Sequence, residues 1–141
     1  MNYNNKSEIL KRANFLLKDG VKNRESMFHT PIISSFSHQH ISSRVMVLRA
    51  HNATQRTMRF HSDFRSDKVK ELLGDPRTSI IGYDPALKTQ IRLVGKSKIH
   101  HNNKNSLKAW DESQAISKKC YSVKDGSSHK AKKPEIYDFH M

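Results

Sequence analysis

The sequence predicts a mainly β domain of the α+β class, a β-barrel or antiparallel sheet with short helices around it. Three observations carry this. Alternating β-forming runs recur between Pro31 and His100. Two of them are joined by a short polar loop, as in a hairpin. Amphipathic segments with helical spacing lie before, between and after the β-runs.

Lys6 to Lys18 carries Leu10, Ala13 and Leu17 at helical spacing, with Lys11, Arg12 and Lys18 on the other face. This predicts a helix over about residues 6–19, with Ser7 as N-cap and Gly20 after its end. Pro31 then opens PIISSF, a short apolar strand, since proline is tolerated at a strand start. Ser43–Ala50 (SRVMVLRA) is rich in β-formers, with Val45 and Val47 on one face and Arg44, Met46 and Leu48 on the other. His51–Arg56 is a polar connection, and Thr57–Ser62 (TMRFHS) alternates again. Ser66 precedes DKVKELL, whose Val69, Leu72 and Leu73 share one side; with Gly74-Asp75-Pro76 as a stop, this is a capped helix of about two turns. Thr78–Tyr83 reads as a strand, Asp84-Pro85 as a turn, and Thr89–His100 as a long alternating strand in which Gly95 marks a bulge or bend. Asn103–Cys120 reads as a helix. Residues 1–121 then form one domain, and residues 122–141 a polar basic tail.

Composition narrows the class of protein. A chain of 141 residues makes one ordinary domain. Hydrophobic residues make up 35%, so the core is modest and the ends are polar. No apolar run approaches the roughly 18 residues of a membrane span, and MNYNNKSEILKR has no apolar signal-peptide core. The expectation is a cytoplasmic protein. Cys120 is the only cysteine, which excludes an intrachain disulfide. The net charge of +13 attracts polyanions, or else simply solvates the surface.

Three constellations are candidates for chemistry. Arg44 and Arg49 flank a β-run at a separation that sends them to opposite faces; they clamp one group only if the strand bends, and otherwise are two exposed charges. His61-Ser62-Asp63-Phe64-Arg65-Ser66-Asp67-Lys68 ends a strand and begins a helix. A helix start has unpaired N–H groups and partial positive charge that favour phosphate, and Ser62, Ser66, Arg65 and Lys68 add hydroxyls and full charges. The same stretch also reads as an ordinary capped helix with solvated charges. Gln90 opens a strand after a turn, where a solvated role is the plain alternative. The nine histidines form no zinc spacing, and no phosphate-binding glycine loop is present.

Taken in order, these pieces resemble the pyridoxamine 5′-phosphate oxidase-like family of FMN-binding split barrels. RVMVLR resembles that family's first flavin-contacting strand, RFHSDFRSDKVKEL its phosphate-holding stretch, and TSIIGYDPALKTQIRLVGKSKIH its strand–turn–strand with the flavin-contacting Gln. AWDESQAISKKCYSV is similar to a segment of a bacterial branch. The likeness runs from about Thr30 to Val123. It implies an antiparallel split β-barrel with FMN as cofactor, held between the two subunits of a homodimer. Arg44 and Lys68 would meet the FMN phosphate or ribityl chain, with Ser62 and Ser66 as hydroxyl donors. Met46, Val47 and Leu48 would line the flavin ring, partly through backbone. Arg49 would lie near the flavin and a substrate phosphate, His61 would take an aromatic position, and Gln90 would hydrogen-bond the flavin. Asp67 stands where the oxidases proper carry a phosphate-binding Arg, with Arg65 as its substitute, and Lys118 stands at a substrate-phosphate position. The family's C-terminal segment, with its last barrel strands, is missing on this reading.

The function implied is an FMN-dependent oxidoreductase acting on a small molecule. The alternatives are a basic nucleic-acid-binding module and a non-catalytic flavin-binding remnant. Against nucleic acid beyond non-specific attraction stands the scarcity of aromatics in the basic segments, which single-strand binders use for stacking.

Overall fold

The structure is a computed structural model that describes residues 4–101, 103–112, 122–125, 128–130 and 135–140. Helix α1 (Lys6–Lys22) leads into β1 (Ile32–Phe36), β2 (Ile41–Val45), β3 (Ala50–Asn52) and β4 (Thr57–Ser62). Helix α2 (Asp67–Gly74) precedes the hairpin of β5 (Arg77–Asp84) and β6 (Thr89–His100). Helix α3 (Lys104–Glu112) follows, then β7 (Ser122–Asp125), β8 (Ser128–Lys130) and β9 (Glu135–His140).

Seven strands form one antiparallel sheet in the order β2-β1-β5-β6-β9-β4-β3, and β7 and β8 pair separately. The two edge strands, β2 and β3, are separated in sequence only by Met46–Arg49. A flat seven-stranded sheet would hold its edges about 29 Å apart at about 4.8 Å per strand. The chain from Val45 to Ala50 reaches at most about 18 Å. The sheet must therefore curl, and Met46–Arg49 bridges its edges without pairing them: a split barrel. The bridge is held by backbone bonds from both sides, from Met46 N to Pro31 O (3.2 Å), Leu48 N to His29 O (2.8 Å) and Arg49 N to Arg59 O (2.9 Å).

The inside of the curl is filled by alternate strand residues. Ile33, Met58, Phe60, Ile80 and Ile91 are buried there with Met46 and Leu48 from the bridge, Leu72 from α2, and Leu16 and Leu17 from α1. Phe28 sits among them against two glycines. A Cβ on Gly20 would stand 2.9 Å from the Phe28 carbonyl carbon, and one on Gly82 would stand 2.7 Å from the Phe28 ring. Gly20 therefore does not end α1, as its sequence position suggested; it lies inside the helix and lets Phe28 close in.

Other expectations also change. Asn5, not Ser7, caps α1, its Oδ1 accepting from the amides of Ser7 (3.0 Å) and Glu8 (3.4 Å). Leu10 and Leu73, assigned to buried faces, are exposed. The run Ser43–Ala50 is not one strand, because the bridge breaks it. Gly95 makes no bulge; β5 and β6 keep register through it. The last change is the largest. Glu135–His140, read as part of a polar tail, is β9, paired on one side with β6 and on the other with β4. A tail reading rested on local composition, whereas β9 is defined by long-range pairing. The expected helix Asn103–Cys120 is seen as Lys104–Glu112; residues 113–120 lie outside the described residues.

Candidate functional site

The end of β4 and the start of α2 bring four of the expected residues together. Strand alternation turns Ser62 inward, where it is buried, and a short turn carries the chain to Ser66 at the cap position of α2. Ser66 makes no side-chain cap bond; its Oγ lies 3.2 Å from Ser62 Oγ. The two hydroxyls thus sit beside a helix start whose first amides are free of a side-chain cap.

Lys68 stands on the first turn of α2, half-buried. Its pKa is lowered, first by burial and then by repulsion from Arg44, while Asp63, Asp67 and Glu71 oppose the shift. Among the described residues it forms no hydrogen bond or ion pair. A half-desolvated cation with a second cation beside it is a site that an anion relieves. Arg44 comes from β2: its Nη1 donates to Ser35 Oγ (2.7 Å) and its Nη2 to Glu71 Oε2 (3.1 Å). It staples β2 to β1 and α2. Guanidinium carries five donors, so these two bonds leave further N–H groups. Arg65 is placed differently from its expected role as a phosphate ligand. Its guanidinium is forked onto Asp63, through Nε to Oδ1 (2.9 Å) and Nη2 to Oδ2. That hydrogen bonding is the main reason the Asp63 carboxyl is held below its usual range.

A second group lines a cleft of about 780 Å³ on the other side of β4. Val47, Arg49 and His61 from the expected set are on its wall, and Met46 and Leu48 are not, because their side chains fill the core. Contact with a ring at residues 46–48 therefore falls to the backbone and to Val47. Arg44 and Arg49 do not meet, since the bridge separates them. The sequence reading missed Arg24, His29 and Arg59, which share the cleft. Arg59 was legible, being on the same strand face as His61. Arg24 and His29 were not, because they lie in an irregular segment that only the packing of α1 delivers to β4. His29 Nδ1 is 2.6 Å from Gly20 O, so it carries the proton and leaves Nε2 as the remaining ring nitrogen.

Gln90 is exposed on β6, opposite Tyr83, and belongs to neither group within one chain. Lys118 lies outside the described residues. No helix is long and apolar enough to cross a membrane among the described residues, and no group of metal-ligating side chains is found among them.

The phosphate-suited cluster at α2 fits FMN in its donor chemistry: two hydroxyls, a helix start and a cation without a hydrogen bond or ion pair among the described residues. Comparison with known proteins supports FMN as the cofactor. The family model described as pyridoxamine 5′-phosphate oxidase, FMN-binding domain, matches residues 14–101. Among solved structures, a pyridoxamine 5′-phosphate oxidase-related, FMN-binding protein from Nostoc punctiforme is similar with a TM-score of 0.70 at 13% identity, over 99% of this chain and 80% of that one. A protein from Clostridium acetobutylicum related to general stress protein 26, of the pyridoxinephosphate oxidase family, has a TM-score of 0.70 at 12% identity, over 96% of this chain and 85% of that one. PhzG from Burkholderia lata has a TM-score of 0.59 at 23% identity, over 77% of this chain and 51% of that one. No curated protein matches. With more than half of its length matched by one family, and with a split barrel and a phosphate-suited helix start in place, the chain belongs to the pyridoxamine 5′-phosphate oxidase family of FMN-binding domains.

Proposed function

We propose that this chain holds FMN with the phosphate at the start of α2 and works as an FMN-dependent oxidoreductase on a small molecule. The observation that carries the reading is Lys68: half-buried on the first turn of α2, its charge disfavoured by burial and by Arg44, without a hydrogen bond or ion pair among the described residues, and two positions after Ser66 of the Ser62–Ser66 hydroxyl pair. On this reading Lys68 gives the phosphate a full charge, Ser62 and Ser66 donate hydroxyl bonds, and the first amides of α2 complete the cradle. Arg44 sets the local potential and offers its unused N–H groups to the phosphate or ribityl chain. Val47, the backbone of Met46–Leu48 and His61 form the wall for the ring, and Arg49 faces the substrate side. The bound flavin supplies the redox chemistry, and the protein binds and orients it.

The active form is proposed to be a cytoplasmic homodimer with the flavin at the subunit interface. Gln90 favours this, since it lies away from the other residues in one chain and on an open sheet face that a second copy can meet. The test is a fluorescence titration of FMN with wild type and Lys68→Met. Hydrogen bonds to charged groups contribute about 1.5–3 kcal/mol, so the variant is expected to bind roughly ten- to a hundredfold more weakly. Equal affinity in the two proteins contradicts the assignment of Lys68.

A further inference from the structure

We infer that the outer face of α1 is a binding track for single-stranded nucleic acid. Lys11, Phe15, Lys18 and Lys22 recur at spacings of four, three and four, which places them on one stripe of the helix. The opposite face, with Leu16, Leu17 and Gly20, is the one packed on the core. Phe15 is 59% exposed in the middle of the stripe. The Arg12 guanidinium stands 5.4 Å from the centre of its ring. Lys11, Lys18 and Lys22 form no ion pair among the described residues. Of the acidic residues beside the stripe, Asp19 accepts a bond from Asn23 Nδ2 (3.1 Å) and Glu8 lies in the first turn.

The stripe also joins two hollows. Lys11, Phe15 and Lys18 line one of about 390 Å³ together with His51 and Asn52. At its other end Lys22 lines the larger cleft with Arg24, Arg49 and Arg59. A line of cations broken by one exposed ring fits a strand whose phosphates meet the lysines while a base stacks on Phe15, with Arg12 adding a cation–π contact. A net charge of +13 adds long-range attraction. A duplex keeps its bases stacked and gives Phe15 nothing to pair with. A membrane surface needs a continuous apolar face, and the exposed apolar residues of α1 do not form one, since Phe15 stands on the lysine stripe apart from Ile9 and Leu10. The track uses none of the side chains proposed to hold the flavin phosphate.

The test is fluorescence anisotropy with a labelled oligothymidylate of about 12 nucleotides, within the usual range of single-strand site sizes. A duplex of equal length and phosphatidylglycerol-containing vesicles are run beside it. The single strand is expected to bind more tightly than the duplex, and the vesicles weakly. Phe15→Ala is expected to weaken binding roughly tenfold without changing the salt slope, as loss of one stacked base does. The triple variant Lys11→Gln, Lys18→Gln, Lys22→Gln is expected to reduce the slope of log K against log salt by about two. FMN affinity, measured separately, is expected to be the same in wild type and Phe15→Ala. Wild-type affinity in Phe15→Ala overturns the inference, because only non-specific attraction is then left. Duplex or vesicles binding as tightly as the single strand overturns it too. Failure of wild type to hold FMN would count against the proposed function alone.

Discussion

At the scale of single residues, His51 shows how the fold sets a titration. Its Nε2 lies 3.0 Å from Asn14 Oδ1, which ties β3 to α1 and fixes the ring proton on Nε2. A second proton has to go on Nδ1, which is buried. Burial lowers the His51 pKa from the ordinary histidine value, partly offset by the Thr57 backbone. The folded protein thus takes up this proton at lower pH than the unfolded chain does. The resulting stability is fully present above the unfolded value and is lost as pH falls from it through the folded pKa. The Tm of wild type is expected to fall more steeply than that of His51→Gln between about pH 7 and pH 5. Parallel Tm curves for the two proteins would contradict this. None of it was legible in the sequence, where His51 opens a polar loop. Ser62 and Lys68 were legible, because strand alternation and the first turn of a capped helix fix where each stands. Arg65 was not, since its pairing with Asp63 is a choice between local partners that spacing does not decide.

At the scale of elements, long alternating segments could be read and pairing between distant ones could not. The expected bounds of β6, Thr89–His100, are the observed ones, because twelve residues of alternation leave little freedom. RVMVLR is uniformly β-forming, yet it breaks at Met46, since four residues there must span between the two edges of the curled sheet. β9 was invisible for a related reason. EIYDFH is short and follows a polar run, and its partners, β4 and β6, lie far back in the chain. It now stands between them, so removing it separates two strands that have no other partner on that side. Truncation after Pro134 is expected to abolish the cooperative thermal transition. A truncated protein melting within a few degrees of wild type would show that β9 is dispensable.

At the scale of the whole molecule, the curl leaves one broad sheet face uncovered among the described residues. Register places Val45, Ile32 and Ile81 side by side across β2, β1 and β5, and Val94 opposite Ser79 on β6. Val45 and Val94 are among the most exposed apolar side chains, at 61% and 72%. Exposed apolar surface of this kind marks an association site. The proposed homodimer, if closed through this face, would carry Gln90 to the interface, since Gln90 shares a β6 face with Val94. Light scattering is expected to give a dimer mass for wild type and a monomer mass for Val94→Glu; a dimeric Val94→Glu would place the interface elsewhere. The central claim is narrower than this assembly: the flavin is held by its phosphate, at the start of α2. The measurement that tests it most directly compares the affinities of FMN and riboflavin, which differ by that phosphate, in wild type and Lys68→Met. The account predicts that wild type prefers FMN by about tenfold or more and that Lys68→Met loses most of the preference. Equal affinity of wild type for FMN and riboflavin would contradict it.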